Sequence, residues 1–387
     1  MKKLTDFPDA HLRIFERPPV PDAIDEVYLI GICGTGMGSL AGLFQQAGYR
    51  VRGSDQAAYP PMSTRLAEMG IPILEGFDPA HLDPAPDLVI VGNACIPTHV
   101  EAAYAREQRL VQQSFPEALG HFFLRDRRSL VVAGTHGKTT TTGMLVHVLR
   151  EAGLDPGFLV GGVMTNGNVS YNAGSGPHFV VEGDEYDSAY FDKRPKFMHY
   201  RPTSAIVTSM EFDHADIYDD WDDYRDAFHT FTRLVPSDGL LVLCGDDANV
   251  RALADHTDAR IRFYGLHTAA DVTARNAEPA HDGQRFSLIA DGADRGEIFL
   301  PMIGRHNLLN ALAVCTVALD EGLTPEQIAQ GFGTFWGMKR RQEVRGEAGG
   351  VLVVDDFAHH PTAVHETIRA VGERWPERRV VAVFEPR

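Results

Sequence analysis

Residues 130–150 constrain the fold of this chain more than any other stretch. They read LVVAGTHGKTTTTGMLVHVLR: an apolar run, a turn with Gly134 and Gly137, and a pattern whose apolar residues share one helix face. Glycines let backbone N–H groups approach phosphate oxygens, and a helix N-terminus favours negative charge. Lys138 supplies a positive charge for the β- and γ-phosphates of a nucleotide, and the Thr139 hydroxyl is a ligand type that Mg²⁺ accepts. The stretch therefore predicts a strand, a phosphate-binding loop and a helix.

The loop departs from the usual G-x-x-x-x-G-K-[ST] pattern. Val132 stands where the first glycine would be, so the chain has the tighter sequence G-x-x-G-K-T. A chance GKT at a helix start is the alternative, but the apolar run before it and the four threonines after it favour a true phosphate loop. This variant, GTHGKTTTT, resembles the loop of the Mur ligase family. Members of that family form amide bonds on UDP-linked muramic acid with ATP.

A second glycine-rich stretch, GICGTGMGSLAG, starts at Gly31 after a short apolar run. Within it, Gly36, Gly38 and Ala41 match the dinucleotide-binding pattern G-x-G-x-x-[GA]. Asp55 follows about 20 residues later, where that pattern has an acidic partner for ribose. A nicotinamide-dependent dehydrogenase is therefore one interpretation of this stretch.

The same glycines also resemble the UDP-binding loop of Mur ligases that act directly on UDP-N-acetylmuramate. In that interpretation the first domain binds the UDP-sugar and performs no redox chemistry. The resemblance implies a UDP-sugar site formed by Gly31, Gly34, Thr35, Gly36, Met37, Ser54, Asp55 and Asn93. Asn93 follows an apolar run ending near residue 92, and a simple turn residue is its alternative role.

Acidic residues follow two further apolar runs, at the point where strands of a parallel sheet would end. Glu182 comes directly after the first run, and His214 lies in an E-x-D-H sequence after the second. Ligands are expected at the carboxyl ends of such strands. The resemblance implies Mg²⁺ ligands at Thr139, Glu182 and His214. No counterpart of the carbamylated lysine of other Mur ligases is assigned.

Two later motifs complete the expected ATP site. G-R-H-N-L-L-N from Gly304 resembles the family's G-x-H-N-x-x-N, and residues 339–342 resemble its K-R-R-x linker. Alternatives are a helix cap at Asn307 and a solvent-exposed basic linker. The resemblance implies ATP binding by Gly134, Thr135, His136, Gly137, Lys138, Thr139, Thr140, His306, Asn307, Asn310, Arg341, Asp356 and His359. It implies catalytic roles for Lys138, His214 and Arg341.

The expected fold is α/β with the three-domain Mur ligase architecture. Residues 1–24 are expected to be a loosely held extension, 25–125 a Rossmann-like UDP-binding domain, and 126–342 a P-loop ATPase-like domain with a parallel sheet. Residues 259–303 predict a small additional β layer. Residues 343–387 predict the start of a Rossmann-like C-terminal domain, truncated relative to the family, with strands at 351–354 and 380–384 around one helix.

Composition limits the partners. The net charge of −17 disfavours binding to nucleic acid or to anionic membranes, and no apolar stretch approaches the length of a membrane span. The four cysteines, Cys33, Cys95, Cys244 and Cys315, are scattered and have no C-x-x-C spacing. This usage is typical of reduced thiols, so we expect a cytoplasmic protein, and we expect a monomer.

Two branches of the family fit. One joins L-alanine to UDP-N-acetylmuramate, and the other joins the recycled tripeptide L-alanyl-γ-D-glutamyl-meso-diaminopimelate to it. Residues 59–64, 185–187, 190–200 and 355–361 resemble the tripeptide branch. In the L-alanine branch we expect serine at Tyr186, tyrosine at Phe357 and no D-K-R-x-K-F insertion. Other classes that share the ATP site are a P-loop kinase and a non-catalytic nucleotide-binding protein.

Overall fold

The computed structural model describes residues 3–215, 217–280 and 282–384. Its strands are β1 (Glu26–Ile30), β2 (Arg50–Asp55), β3 (Ile73–Glu75), β4 (Leu88–Val91), β5 (Gln112–Ser114), β6 (Arg128–Ala133), β7 (Gly157–Met164), β8 (Val169–Asn172), β9 (His178–Glu182), β10 (Asp187–Ala189), β11 (Asp192–Pro195), β12 (Ser204–Val207), β13 (Leu240–Cys244), β14 (Arg260–Tyr264), β15 (Val272–Ala280), β16 (Gly283–Ala290), β17 (Ala293–Leu300), β18 (Glu343–Ala348) and β19 (Val351–Asp355). Its α-helices are α1 (Ala10–Arg13), α2 (Thr35–Gln46), α3 (Met62–Glu68), α4 (Val100–Glu107), α5 (Phe115–Leu119), α6 (Lys138–Glu151), α7 (Trp221–Thr232), α8 (Ala248–Arg251), α9 (Arg305–Asp320), α10 (Pro325–Gly333) and α11 (Pro361–Arg374).

The first domain is a parallel sheet in the strand order β3-β2-β1-β4-β5. Its central strand β1 is buried on both faces, as expected for a parallel sheet covered by helices. Val27 and Leu29 belong to one apolar core, while Tyr28 and Ile30 belong to another on the opposite face. The Rossmann-like fold predicted for this segment is confirmed.

The central domain is a ten-stranded sheet in the order β17-β16-β15-β14-β13-β12-β6-β9-β7-β8. The run from β14 to β7 is parallel, so the phosphate loop after β6 and the acidic residues after β9 and β12 meet at one edge. The small β layer predicted for this domain forms as an extension of the sheet. Tyr264 of β14 pairs with Val272 of β15, and antiparallel pairing carries the sheet on through β17.

The first and central domains contact each other on both sides of the first sheet. On one side, α2 packs on β8, where Ser39 Oγ lies 3.1 Å from Ser170 Oγ. On the other side, the β10–β11 hairpin places Tyr190 and Phe191 in the core that contains Tyr28. The two contacts hold the first sheet between separate parts of the central domain.

The segment before β1 is docked, so the expectation of a loosely held extension is not met. The Arg17 guanidinium bonds to both carboxylate oxygens of Glu117 at 2.7 and 2.9 Å. Arg13 donates to the Tyr190 carbonyl at 3.1 Å, and the Phe15 ring meets the Phe191 ring edge-on at 5.8 Å. Cationic and aromatic residues of this segment therefore cover the hairpin that enters the first domain.

The C-terminal segment departs from the sequence prediction. The strand predicted at 351–354 is not a buried parallel strand: β19 forms an antiparallel hairpin with β18, and Val351 and Val353 are more than half exposed. Gly349 and Gly350 both have positive φ, 59° and 78°, which suits a tight two-residue hairpin turn. The predicted helix forms as α11, but residues 380–384 do not form a strand. Among the described residues, no helix is long and apolar enough to cross a membrane.

Candidate active site

A cleft of about 1200 Å³ opens where the first domain, the central domain and the C-terminal segment meet. Gly34 and Thr35 line it from the first domain, and the phosphate loop lines it from the central domain. A second cavity of about 430 Å³ lies beside the loop, against α9 and α11. His136, Gly137 and Arg341 line both spaces, so the phosphate loop separates them.

The phosphate loop has the backbone that its glycines predict. Gly134 and Gly137 adopt φ values of 126° and 82°, which side-chain-bearing residues rarely adopt. A Cβ atom on Gly134 would lie 2.2 Å from Thr208 Oγ1, and one on Gly137 would lie 2.6 Å from Asn310 Oδ1. Gly137 caps α6, so the loop delivers its backbone to a helix N-terminus that favours anions.

Lys138 is held at the side of this loop. Its ammonium bonds to the two carboxylate oxygens of Glu185 at 3.0 and 2.9 Å and to the Gly134 carbonyl at 2.7 Å. Burial alone would lower the pKa of Lys138, but the charges of Glu185, Asp184 and Glu182 outweigh it and raise the pKa. The lysine is therefore charged. Sequence reasoning assigned it to the phosphates and missed Glu185, whose signal was its place in the acidic run after β9.

Thr139 and Glu182 form the first half of the predicted metal set. The Thr139 hydroxyl donates to Glu182 Oε1 at 3.0 Å, and the Gly161 N–H donates to Glu182 Oε2 at 2.9 Å. Burial raises the pKa of Glu182 despite the nearby charge of Lys138. Arg341 reaches the same place, with Nη2 at 3.4 Å from Thr139 Oγ1. A hydroxyl and a carboxylate at hydrogen-bond distance are oxygen donors that fit Mg²⁺.

His214 belongs to a different pair. Its Nε2 lies 3.1 Å from Glu185 Oε1, and its backbone has a φ of 59°. Burial acts to lower the pKa of His214, but the hydrogen bond to Glu185 and the charges of Glu185 and Asp213 raise it overall. The Tyr186 ring packs against the imidazole at 4.2 Å. The predicted metal residues thus divide into Thr139 with Glu182 and His214 with Glu185.

The smaller cavity contains most of the predicted nucleotide residues. Burial lowers the pKa of His306 to about 4, and its Nε2 lies 3.1 Å from Gln342 Nε2. The amide therefore donates to a neutral ring. Asn307 does not cap α9, because Gly304 occupies that position and the Asn307 amide donates to the Ile303 carbonyl at 2.7 Å.

The linker and C-terminal residues close one side of this cavity. Asp356 accepts hydrogen bonds from the Gln342 and Ala358 backbone N–H groups, both at 2.8 Å. Arg341 is partly buried, whereas Lys339 and Arg340 before it are exposed. The solvent-exposed alternative for the basic linker therefore applies to Lys339 and Arg340. Gln342 lines this cavity and, like Glu185, is a site residue that sequence reasoning missed.

Three other predicted ATP residues, Thr135, Thr140 and His359, lie in three different surroundings. Thr135 is tied to the loop after β12, where its hydroxyl donates to the Glu211 carbonyl at 3.0 Å. Thr140 lines the smaller cavity. His359 is exposed and lines the larger cleft instead, with its Nδ1 at 3.0 Å from the Phe357 carbonyl.

The loop after β1 presents an open helix N-terminus to the large cleft. Gly31 has a φ of 81°, and the exposed residues Gly34, Thr35 and Gly36 lead into α2, with Met37 buried behind them. Backbone N–H groups at a helix start are suited to the phosphates of a UDP-sugar.

The polar side chains predicted to bind the UDP-sugar form hydrogen bonds within the chain itself. Asp55 Oδ2 accepts from the Cys33 N–H at 2.8 Å and so holds the loop. Ser54 is fully buried, and its hydroxyl donates to Glu101 at 2.5 Å, away from the loop. The Asn93 amide, oriented to donate, lies 3.1 Å from Asp187 Oδ1. For Ser54 and Asn93 the strand geometry favours a structural role, which single-sequence reasoning could not distinguish.

Models of known protein families match the segments that contain almost all of these elements. The family models described as the Mur ligase family catalytic domain, the Mur ligase middle domain and the Mur ligase glutamate ligase domain match residues 26–127, 132–318 and 340–387. The three matches follow the order predicted from the sequence.

Individual relatives agree. The UDP-N-acetylmuramate–L-alanyl-γ-D-glutamyl-meso-2,6-diaminoheptandioate ligase of Escherichia coli strain K12 is 42% identical, over 93% of this chain and 79% of that protein. A UDP-N-acetylmuramate–L-alanine ligase of Chlorobaculum parvum is 38% identical, over 93% of this chain and 75% of that protein. The crystal structure of a murein peptide ligase from Psychrobacter arcticus superposes with a TM-score of 0.80 at 38% identity, covering 94% of this chain and 79% of that one. Together with the three domain matches, these similarities establish that the chain belongs to the Mur ligase family.

Proposed function

We propose that this chain is an ATP-dependent ligase that joins the tripeptide L-alanyl-γ-D-glutamyl-meso-diaminopimelate to UDP-N-acetylmuramate. One observation carries the proposal: a single cleft connects the helix N-terminus of α2, the phosphate loop and Arg341. A UDP-sugar anchored at α2 can therefore present a carboxylate to ATP held at the loop. A dehydrogenase has no need for a phosphate loop with an ATP-binding lysine, and amine-dependent phosphate release distinguishes a ligase from a kinase.

The reaction has two steps. The muramoyl carboxylate attacks the γ-phosphorus of ATP, so a carboxylate oxygen–phosphorus bond forms and the bond to the ADP oxygen breaks. The free amine of the tripeptide then attacks the carbonyl carbon of this acyl phosphate. A carbon–nitrogen bond forms, inorganic phosphate leaves with the electrons of the broken carbon–oxygen bond, and the amine releases a proton.

The protein contributes position and charge to these steps. The loop backbone from Gly134 to Gly137 binds the phosphates, with the charge of Lys138 beside it. Arg341 brings a second positive charge from the linker to within 3.4 Å of Thr139. Mg²⁺ that accompanies ATP would be held by Thr139 and Glu182 and would neutralise phosphate charge. His214 and Glu185 form a second polar site in the same region.

Two features of the chain favour the tripeptide over L-alanine. Tyr186, where we expect serine in the L-alanine branch, lines the cleft against His214. The 190–200 segment, which resembles the tripeptide branch, is ordered, and its Tyr190 and Phe191 pack into a core of the first domain. The nucleotide substrates imply that the enzyme acts in the cytoplasm, and a monomer remains the expected oligomeric state.

The test offers UDP-N-acetylmuramate, ATP and Mg²⁺ with either the tripeptide or L-alanine, and measures phosphate release and the mass of the product. We expect amine-dependent phosphate release and an amide product of higher yield with the tripeptide. Preferential use of L-alanine would reassign the chain to the other branch. Phosphate transfer to a stable product without the amine would instead identify a kinase.

A further inference from the structure

Three potential metal ligands from separate parts of the chain meet beside the phosphate loop. They are His136 of the loop, Glu211 after β12 and His360 before α11, and one donor atom of each lies within 4.8 Å of the others. His136 Nε2 is 3.0 Å and His360 Nδ1 is 3.4 Å from the same oxygen, Glu211 Oε2. The two imidazole rings lie 4.5 Å apart.

These separations suit a tetrahedral ion. Two ligands bound to zinc at 2.0–2.1 Å with tetrahedral angles are about 3.3 Å apart. Two imidazoles with one carboxylate are also a ligand set that zinc uses in proteins, whereas Mg²⁺ prefers oxygen donors. We propose that His136, Glu211 and His360 bind a divalent transition-metal ion of the zinc class, at a site separate from the Thr139–Glu182 pair.

The protonation states support ligation. Burial lowers the pKa of His136, although the hydrogen bond to Glu211 opposes the shift, so its imidazole is neutral near pH 7. Burial would raise the pKa of Glu211, but its hydrogen bonds and the two histidines lower it, so the carboxylate is ionised. Neutral imidazole and ionised carboxylate are the forms that bind metals.

A metal ion bound at this site would connect two parts of the active site. His136 belongs to the loop between the cleft and the smaller cavity, and His360 is the N-cap residue of α11. The ion therefore holds the C-terminal segment against the phosphate loop. The His360 Nδ1 atom accepts a long hydrogen bond, 3.3 Å, from the Thr362 N–H, and metal ligation replaces it.

The experiment titrates the full chain with Zn²⁺ in calorimetry, without nucleotide and with excess Mg²⁺. Wild type should bind one ion, and Glu211→Gln and His360→Asn should each weaken that binding by roughly tenfold or more. Asparagine is a good N-cap, so His360→Asn removes the ligand and keeps the start of α11. The matched control is His365→Asn, at an exposed histidine of α11, which should bind as wild type does.

A second measurement tests the link between the segments. Zn²⁺ should slow amide hydrogen exchange in residues 356–374 of wild type and of His365→Asn but not of His360→Asn. Thermal melts identify any variant that does not fold, and Glu211→Gln and His360→Asn serve as independent tests. Equal Zn²⁺ affinity in wild type and in a folded ligand variant, or no binding by wild type, would overturn the site.

Discussion

The ammonium of Lys138 and the buried carboxylate of Glu185 form a two-oxygen ion pair, with distances of 2.9 and 3.0 Å. Glu185 is completely inaccessible to solvent, and it also contacts His214 at 3.1 Å. The lysine of the phosphate loop thus has two roles: its charge lies beside the phosphate-binding backbone, and it neutralises a carboxylate inside the domain. A buried charge that loses its partner is strongly destabilising.

Lys138→Met should abolish ATP turnover and also lower the free energy of unfolding by about 3–5 kcal/mol, because the buried Glu185 loses its lysine and keeps only the His214 imidazole as a partner. The measurement is urea unfolding combined with phosphate release.

The matched variant is Lys138→Met with Glu185→Gln. Removing both charges should recover much of the lost stability without restoring turnover. If the double variant is no more stable than Lys138→Met, the ion pair does not account for the loss.

Two glycines at opposite ends of α6 allow the cost of backbone strain to be measured separately from the effect of site geometry on ATP binding. Gly137 and Gly153 have nearly equal φ values of 82° and 81°, but a Cβ on Gly137 meets Asn310 Oδ1 whereas one on Gly153 meets nothing within 4 Å. Gly153→Ala should lower stability by about 1 kcal/mol and leave ATP affinity unchanged. Gly137→Ala should cost more stability and weaken ATP binding, measured by calorimetry. Equal effects on ATP affinity would contradict the assigned loop geometry.

The parts of the fold that were predicted correctly are those with local sequence signals. The Gly31 and Gly134 turns each follow an apolar run and precede a helix, and both units form as expected. The error at residues 3–24 concerns contacts with segments that are distant in sequence. The 3–24 segment is held by Glu117 and Tyr190, and no pattern within it indicates those partners.

The same limit applies to the site. Glu182 was predictable because it directly follows an apolar run, and in the structure it is the last residue of the buried strand β9. Glu185 and Gln342 gain their roles only from their neighbours in space, Lys138 and His306. The β18–β19 hairpin was missed although Gly349 and Gly350 are a recognisable turn signal. The sequence therefore contained the information needed to predict this hairpin.

His306 predicts a pH dependence of stability. The pKa of His306 is about 4 in the folded chain, below the ordinary histidine value of about 6.5, so the unfolded chain takes up its proton first as the pH falls. The contribution of His306 to the free energy of unfolding should therefore be complete above pH ~6.5. It should decrease by about 2–3 kcal/mol as the pH falls toward ~4. His306→Asn should show a shallower loss between pH 7 and 4.5 in urea unfolding. Parallel curves for wild type and variant would mean that His306 is not protonated more readily on unfolding.

The Ser39–Ser170 contact allows a test of which domains move during catalysis. The two buried Oγ atoms are 3.1 Å apart in residues 131 positions apart, so cysteines there should form a disulfide with only a small local shift. Because the first sheet already contacts the central domain on both faces, we expect the oxidised Ser39→Cys, Ser170→Cys protein to keep its substrate binding and turnover. Its free energy of unfolding should rise by about 2–4 kcal/mol.

Of the native thiols, Cys95, Cys244 and Cys315 are buried, which limits competing disulfides. Ser39→Cys with Ser170→Ala is the matched control. Loss of turnover on oxidation that a reducing agent reverses, absent from the control, would show that the first and central domains must separate in each cycle.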